Sequence, residues 1–323
     1  MAYIAQPAGF LEDTVQRIYD YSNEPSTNPK WTTDKLFPLI RGSYARIMAD
    51  VNGIGQNPIV VRFNITVTTT QRTYLLPPNV GQVLMFGKVD PANGEFYERI
   101  IPNSRFNPAG SGCTFEGPLV RLSPLWQEND TLQILYIPNG DCVMHVGTFA
   151  QNATGVSTTT FPLAVSPSEG YFDRRPNAYL GSVARLLSAV SAAGVASTPS
   201  GYSYFPIQER PITSYAPTTQ LATVDTAFDF NPGDASTMSG TDPAVITYEV
   251  VPFMGDFFQE AIAWDVAALV NGTERRYAEK KDCLQNRLNQ MRLIRNNITT
   301  YNSRTGMIAR ADIFGYGNWG WTV

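Results

Sequence analysis

The chain has 323 residues, of which 16% are charged, and its formal net charge is −4. An excess of Asp and Glu argues against electrostatic binding of nucleic acid, because phosphate contacts require an excess of Lys and Arg on one surface. The chain has three cysteines, too few for a disulfide framework, no apolar run of about 20 residues that could span a bilayer, and no visible signal peptide. We therefore expect a soluble protein made in a reducing cytoplasm.

Residues 1–57 predict two helices. In the first, between Phe10 and Tyr21, the apolar residues recur at intervals of three and four. The second follows Thr33, which can cap a helix N-terminus, and has an apolar stripe that reaches Val51. Both helices should bury one face.

From residue 58 the apolar pattern alternates, which favours β-strands. Residues 58–147 predict a β domain in which VLMFGKV, the turn DPANG and EFYERIIP form a hairpin. Residues 148–252 predict a second β module with long loops rich in Ser, Thr, Gly and Pro. Within it, SVARLLSAV fits a helix as well as a strand, and we predict a strand because its neighbours are strands.

Residues 253–302 predict two more amphipathic helices, and residues 303–323 predict an extended C-terminal arm rich in Gly and aromatic residues. Isolated amphipathic helices cannot bury their apolar stripes alone. The predicted fold is therefore α+β: the N-terminal and C-terminal helices form a bundle, which is interrupted by antiparallel β modules and followed by the arm.

No sequence motif of a nucleotide-binding loop, a zinc protease or a hydrolase nucleophile is present. The one histidine, His145, lies near Cys142, so a cysteine nucleophile, or a metal site with Cys113 and Cys283, is an alternative. On a strand, however, positions three residues apart point to opposite faces. We therefore expect no enzyme activity, no catalytic residue, no metal and no cofactor.

The charges are unevenly distributed. Residues 271–304 include eight Lys or Arg against three Asp or Glu, which leaves a net charge of +5 there and −9 in the rest of the chain. The basic residues of this helix either face solvent or contact an acidic partner or passing DNA. They are Arg275, Arg276, Lys280, Lys281, Arg287, Arg292 and Arg295. The neighbouring carboxylates Asp256 and Glu260 are expected to be solvated surface groups.

The C-terminal segment contains the strongest candidate binding residues. Aromatic side chains between glycines would be exposed to water in a monomer, and such clusters commonly anchor in a groove of a partner. The candidate partner-binding residues are Ile308, Arg310, Asp312, Phe314, Tyr316, Trp319 and Trp321. In this set the aromatic residues are the anchors, and Arg310 and Asp312 form the polar rim.

Residues 23–52 resemble the opening of the head-to-tail adaptor proteins of tailed phages, also called connector or head-completion proteins. In that family a Trp-[Ser/Thr] element, with a Leu shortly after it, caps a helix that lines a ring of subunits. The matching residues here are Trp31, Thr32, Thr33, Asp34, Leu36, Ile40 and Ile47. Pro38 and Gly42 depart from the good helix formers usual there. The late helix pair and the C-terminal arm are also similar to that family, whose arm docks on the portal.

The resemblance implies a structural virion protein: an adaptor ring of twelve copies in the phage neck, assembled in the host cytoplasm, that connects portal to tail. The implied partners are other copies of the chain, the portal protein, a tail or nozzle protein and genomic DNA that passes without specific contacts, with no membrane. Two alternatives stay open. One is another neck or tail-tube protein, and the other is a carbohydrate-binding adhesin built on the Thr-rich β region.

Overall fold

The structure is a computed structural model. It describes residues 9–25, 29–53, 60–68, 71–90, 96–100, 112–141, 144–151, 153–163, 175–191, 194–234, 244–252 and 254–314, with the backbone alone at 97–100 and 297–314. The chain divides into two compact units. The larger comprises residues 1–47 and 142–292, and the smaller comprises residues 48–141 and 293–323.

The predicted helical bundle interrupted by β modules is wrong, because the fold is mostly β-sheet. The described residues form fourteen strands and four helices. The helices are α1 (Phe10–Ser22), α2 (Thr33–Asn52), α3 (Gly255–Thr273) and α4 (Tyr277–Phe314). Helix α1 packs on α3 and also on a strand of the larger sheet. The apolar face of α1 is thus covered partly by α3 and partly by the sheet.

The smaller unit contains two antiparallel sheets. Their strands are β1 (Val61–Thr66), β2 (Thr73–Leu75), β3 (Val80–Val89), β4 (Phe96–Ile100), β5 (Cys113–Glu116), β6 (Leu119–Leu122) and β7 (Thr131–Pro138). One sheet has the order β1-β7-β3-β4 and the other β2-β6-β5. The rings of Phe86 and Phe115 meet edge to face across the two sheets, with centroids 5.1 Å apart. The predicted hairpin is confirmed as the β3–β4 pair.

The sheet of the larger unit is a curled half-barrel of six antiparallel strands. Its order is β8-β14-β10-β12-β13-β9, with β11 paired to β10. These strands are β8 (His145–Ala150), β9 (Thr160–Pro162), β10 (Val183–Val190), β11 (Ala196–Ser197), β12 (Gln208–Ala216), β13 (Leu221–Val224) and β14 (Val245–Val251). The prediction of a strand for SVARLLSAV is confirmed as β10.

Aromatic rings fill the inside of the half-barrel. Phe161 lies 5.3 Å from Tyr248 and 6.0 Å from Phe149, measured between ring centroids, and all three side chains are buried. Alternation places every second residue of β14 in this core. The other residues of β14 face away from this core, and one of them, Glu249, accepts a hydrogen bond from the N-terminus of α1.

The C-terminal arm is not extended over its first part. Helix α4 continues as far as Phe314, so the expectation of an extended segment from residue 303 is wrong over residues 303–314. This stretch contains Met, Ile, Ala and Arg, which are compatible with a helix, and only Gly306 opposes it, at a cost of about 1 kcal/mol relative to Ala. Residues 315–323, which contain the remaining glycines of the arm, lie outside the described part of the chain.

Candidate functional site

A buried carboxylate on β14 holds the N-terminus of α1. Glu249 is 1% exposed; its Oε1 accepts the N–H of Phe10 at 2.8 Å, and its Oε2 accepts the N–H of Leu11 at 3.2 Å. The residue before the helix is Gly9, which has no side chain to cap these groups, and a Cβ there would lie 2.8 Å from Glu249 Oε2. Glu249 therefore supplies from the sheet the acceptors that the helix lacks locally.

Arg185 on β10 lies directly opposite Glu249 in the strand register. Its Nη1 is 3.4 Å from Glu249 Oε1 and 3.0 Å from Asp256 Oδ1, its Nη2 also pairs with Asp256, and its Nε is 2.8 Å from Glu209 Oε1. Three carboxylates thus share one guanidinium. Burial raises the pKa of Glu249 above its ordinary value, although the two N–H bonds and Arg185 act against that rise. The side chain of Asp256 is 57% exposed, in agreement with the expected surface position, and it is also paired with Arg185.

A second buried carboxylate, Asp265 on α3, joins three helices. It accepts hydrogen bonds from Nε, at 3.2 Å, and Nη2 of Arg46 on α2. Arg287 on α4 approaches it from the other side, with Nε 2.9 Å from Oδ1. Two guanidinium groups therefore compensate one buried charge, and the contact fixes α2 and α4 against α3.

Glu260 on α3 lies at the centre of a half-exposed cluster with α1. Its Oε1 accepts the hydroxyl of Tyr21 at 2.7 Å and the indole N–H of Trp264 at 3.0 Å, and its Oε2 accepts Arg17 Nη1 at 2.7 Å. The rings of Tyr21 and Trp264 stack with centroids 3.7 Å apart. Burial and the neighbouring Glu260 raise the pKa of Tyr21. Glu260 is therefore a bonded group, and the expectation of a solvated one is corrected.

The segment that carries the family resemblance forms the start of α2. The indole N–H of Trp31 donates to Glu274 Oε1 at 3.3 Å, and Lys30 Nζ donates to the same oxygen at 2.7 Å. The hydrogen bond from Lys30 holds the pKa of Glu274 below its usual range. The Trp31 element thus fastens the entry of α2 to the turn between α3 and α4. The matched aliphatic residues Leu36, Ile40 and Ile47 are fully buried.

The seven basic residues of α4 and its entry do not form one face. Arg276 donates to the carbonyl oxygen of Ser22 at 2.5 Å, and Arg287 pairs with Asp265. The aliphatic chain of Lys280 lies over Gly272, where a Cβ would be 3.1 Å from the Lys280 Cδ. The remaining four, Arg275, Lys281, Arg292 and Arg295, are exposed. The structure therefore separates basic residues that hold the fold from basic residues that face outward.

Helix α4 presents an exposed apolar line between its exposed charges. Tyr277, Leu284 and Leu288 are 67%, 38% and 48% exposed. Together with Lys281 and Arg292 they recur every three or four residues and so share one side of the helix. We call these five residues the α4 stripe.

A different line of α4 packs on the protein. Cys283, Met291 and Ile294 are buried there, and Arg287 reaches Asp265 from the same side. Helical spacing predicts one apolar stripe of Tyr277, Leu284, Leu288, Met291, Ile294 and Ile298. The structure buries Met291 and Ile294 and exposes Tyr277, Leu284 and Leu288, because the packed face of α4 is rotated toward Cys283. The side chain of Ile298 lies outside the described residues.

The predicted partner-binding residues of the C-terminus fall into two groups. Ile308, Arg310, Asp312 and Phe314 belong to the last turns of α4, where the structure describes the backbone alone. Tyr316, Trp319 and Trp321 lie outside the described residues.

The His and Cys residues that were candidates for chemistry are buried or lie outside the described chain. His145 Nε2 is 2.8 Å from the hydroxyl oxygen of Tyr248. Burial raises the pKa of Cys113 to about 12 and also raises that of Cys283, while Cys142 is not among the described residues. Over the described ranges, no three His, Cys, Asp or Glu side chains are grouped so that they could hold a metal ion. None of the helices there has the length and hydropathy of a membrane span.

No protein-family model matches the chain, and no curated protein is significantly similar to it.

Proposed function

We propose that this chain is a structural virion protein, an adaptor-ring subunit that connects the portal of a tailed phage to its tail. The α4 stripe carries the proposal. It places three large apolar side chains in water on a long regular helix whose other side is already packed. Exposed apolar residues flanked by charge are typical of assembly surfaces.

The resemblance at the start of α2 also supports this function. Trp31, the residue that defines the family element, bonds to the α3–α4 turn, and Leu36, Ile40 and Ile47 pack the helix that follows. An element that orders the helices is suited to a subunit whose helices meet those of its neighbours.

The partners in this proposal are other copies of the chain, the portal, a tail or nozzle protein and the passing genome. The portal contact belongs to residues 303–323, with Phe314, Tyr316, Trp319 and Trp321 as anchors. In this proposal, exposed basic residues that no neighbouring subunit covers line the DNA channel. The net charge of −4 per chain gives the ring a repulsive background that lets DNA pass without adhering.

The test is binding of the full chain to purified portal rings of the same phage, followed by electron microscopy. We expect a ring of density beneath the portal, and we expect Trp319→Ala combined with Trp321→Ala to weaken binding on the order of 30-fold, as loss of aromatic anchors does. The matched control is Tyr202→Ala with Tyr204→Ala, which removes two exposed aromatic rings from the larger unit and should leave binding unchanged. Equal binding by the Trp variant and the wild type would contradict the assignment of the C-terminal anchors.

Placement of the protein in the particle distinguishes the remaining alternatives. A map of the virion with the chain in the tail tube would replace the adaptor assignment with that of another tail component. Glycan binding by the full chain, with no affinity for portal rings, would support an adhesin instead.

A further inference from the structure

We infer that the α4 stripe binds the half-exposed face of α1 and α3 on a second copy of this chain. This inference rests on the proposed function, because it names the contact between neighbouring subunits of the ring. It concerns only residues of the larger unit, and it names the surface that binds the stripe.

The α4 stripe is both apolar and basic. Tyr277, Leu284 and Leu288 supply apolar area, and Lys281 and Arg292 lie beside them. Lys281 and Arg292 are exposed, unlike Arg276 and Arg287, which are bonded within the chain. An occupant must therefore combine apolar area with negative charge.

The outer side of the α1–α3 pair has that combination. Phe257 is 37% exposed and lies on the same side of α3 as Trp264, which follows it by seven residues. The stacked rings of Tyr21 and Trp264 are half-buried and pack on their inner side against Cys283 of α4. The carboxylates on this side include Asp13, Asp20 and Glu260, and the cation Arg17 pairs with Asp13 and Glu260. We call this the acidic-aromatic face.

Overall charge also favours a second copy as the occupant. The stretch from residue 271 to 304 has a net charge of +5, whereas the rest of the chain has −9, so each copy offers both a basic helix and an acidic surface. Association between copies would pair these opposite charges and bury apolar area on both sides.

The contact must join two different surfaces. If the α4 stripe met itself across a two-fold axis, Lys281 and Arg292 would face the same cations of the other copy, which costs free energy. A contact between the stripe and the acidic-aromatic face is heterologous, and heterologous contacts that close produce rings. The surface thus predicts cyclic assembly and not an isolated dimer.

The first experiment compares the masses of full-length variants by sedimentation velocity. We expect the wild type to assemble into a closed ring, less readily as salt rises, and Leu284→Glu with Leu288→Glu to weaken self-association on the order of 30-fold or more. The matched control is Leu293→Glu. Leu293 is 54% exposed on the same helix but lies roughly 160° around it from Tyr277, at about 100° per residue. The Leu293→Glu variant should assemble like the wild type.

The second experiment tests the pairing of the two faces. Asp20→Lys with Phe257→Lys alters the acidic-aromatic face and leaves the stripe intact. We expect this variant, and the Leu284→Glu/Leu288→Glu variant, each to stay monomeric alone. Mixed in equal amounts they should form a one-to-one complex that grows no further, since one variant retains the stripe and the other retains the face. Equal thermal unfolding of all variants establishes that they are folded.

Three results would overturn the inference: a monomeric wild type, wild-type assembly by the Leu284→Glu/Leu288→Glu variant, or a mixture that contains no complex. Portal binding through residues 303–323 is measured separately. If the chain binds the portal but the stripe variant still forms rings, the subunit contact is overturned and the proposed function stands. If rings form through the stripe but never bind the portal, the proposed function fails instead.

Discussion

Glu249 and Asp265 are buried carboxylates of the larger unit, and their charges are compensated in different ways. Glu249 on β14 receives two backbone N–H groups from α1 and part of one guanidinium that it shares with Asp256 and Glu209. Asp265 on α3 has the guanidinium groups of Arg46 and Arg287. The sheet thus positions a helix through its peptide groups, whereas the helices are joined to one another by side-chain charge. The first arrangement joins one carboxylate to two peptide N–H groups and a shared guanidinium, whereas the second joins three side chains.

Of the substitutions at these two carboxylates, replacement of Glu249 should lower the free energy of unfolding most. Glu249→Ala leaves the N–H groups of Phe10 and Leu11 buried without their acceptor, and we expect a loss of about 3 to 5 kcal/mol in unfolding free energy, measured by urea titration. Glu209→Ala is the matched control, because Glu209 contacts the same Arg185 but is half-exposed, and its loss should stay below about 1 kcal/mol. Similar losses for the two variants would show that the hydrogen bonds from Phe10 and Leu11 to Glu249 contribute little to stability.

Replacement of Asp265 should lower the free energy of unfolding less than replacement of Glu249. In Asp265→Ala the cation Arg46, whose side chain is 47% exposed, can turn to water, so we expect a loss of about 2 kcal/mol. The same urea titration measures it. A loss greater than that of Glu249→Ala would reverse the ranking of the two arrangements.

The pH dependence sharpens the comparison further. Burial raises the pKa of Glu249 in the folded state, so the stabilising contribution of this group is complete below its unfolded pKa and is lost as pH rises through the folded value. Stability measured against Glu249→Gln, which cannot ionise, should therefore show the largest advantage for the wild type in acid and a smaller one near neutral pH. Urea titrations of both proteins between acid and neutral pH provide the test. A wild-type advantage that instead grows with pH would mean that Arg185 and the helix N-terminus outweigh the burial.

Local patterns in the sequence predicted most of the elements, because helical and strand periods are properties of neighbouring residues. They could not predict the strand order of the half-barrel, in which β14 lies between β8 and β10. A charge within a Val-rich or Leu-rich strand was the signal that was missed. Arg185 in VARLLSAV and Glu249 in VITYEVV each require a buried partner, and they are partners of each other.

The α4 stripe shows a second limit of sequence reasoning. Tyr277, Leu284 and Leu288 have the spacing of a buried face, and their residue types alone favour burial. Which side of α4 packs is decided by the Asp265–Arg287 ion pair and by the burial of Cys283, both of which depend on α3. Periodicity identifies an amphipathic helix, but the choice between an intramolecular and an intermolecular partner needs the tertiary fold.

The cap on α1 also bears on the order in which the chain folds during synthesis. Phe10 is synthesised before Glu249, the carboxylate that completes its helix, which comes 239 residues later. Until β14 has been made and paired, α1 has two peptide N–H groups with no Glu249 to accept them, and its apolar face has not yet met α3. Helix α1 therefore precedes β14 and α3 in translation but is completed only after both have been synthesised.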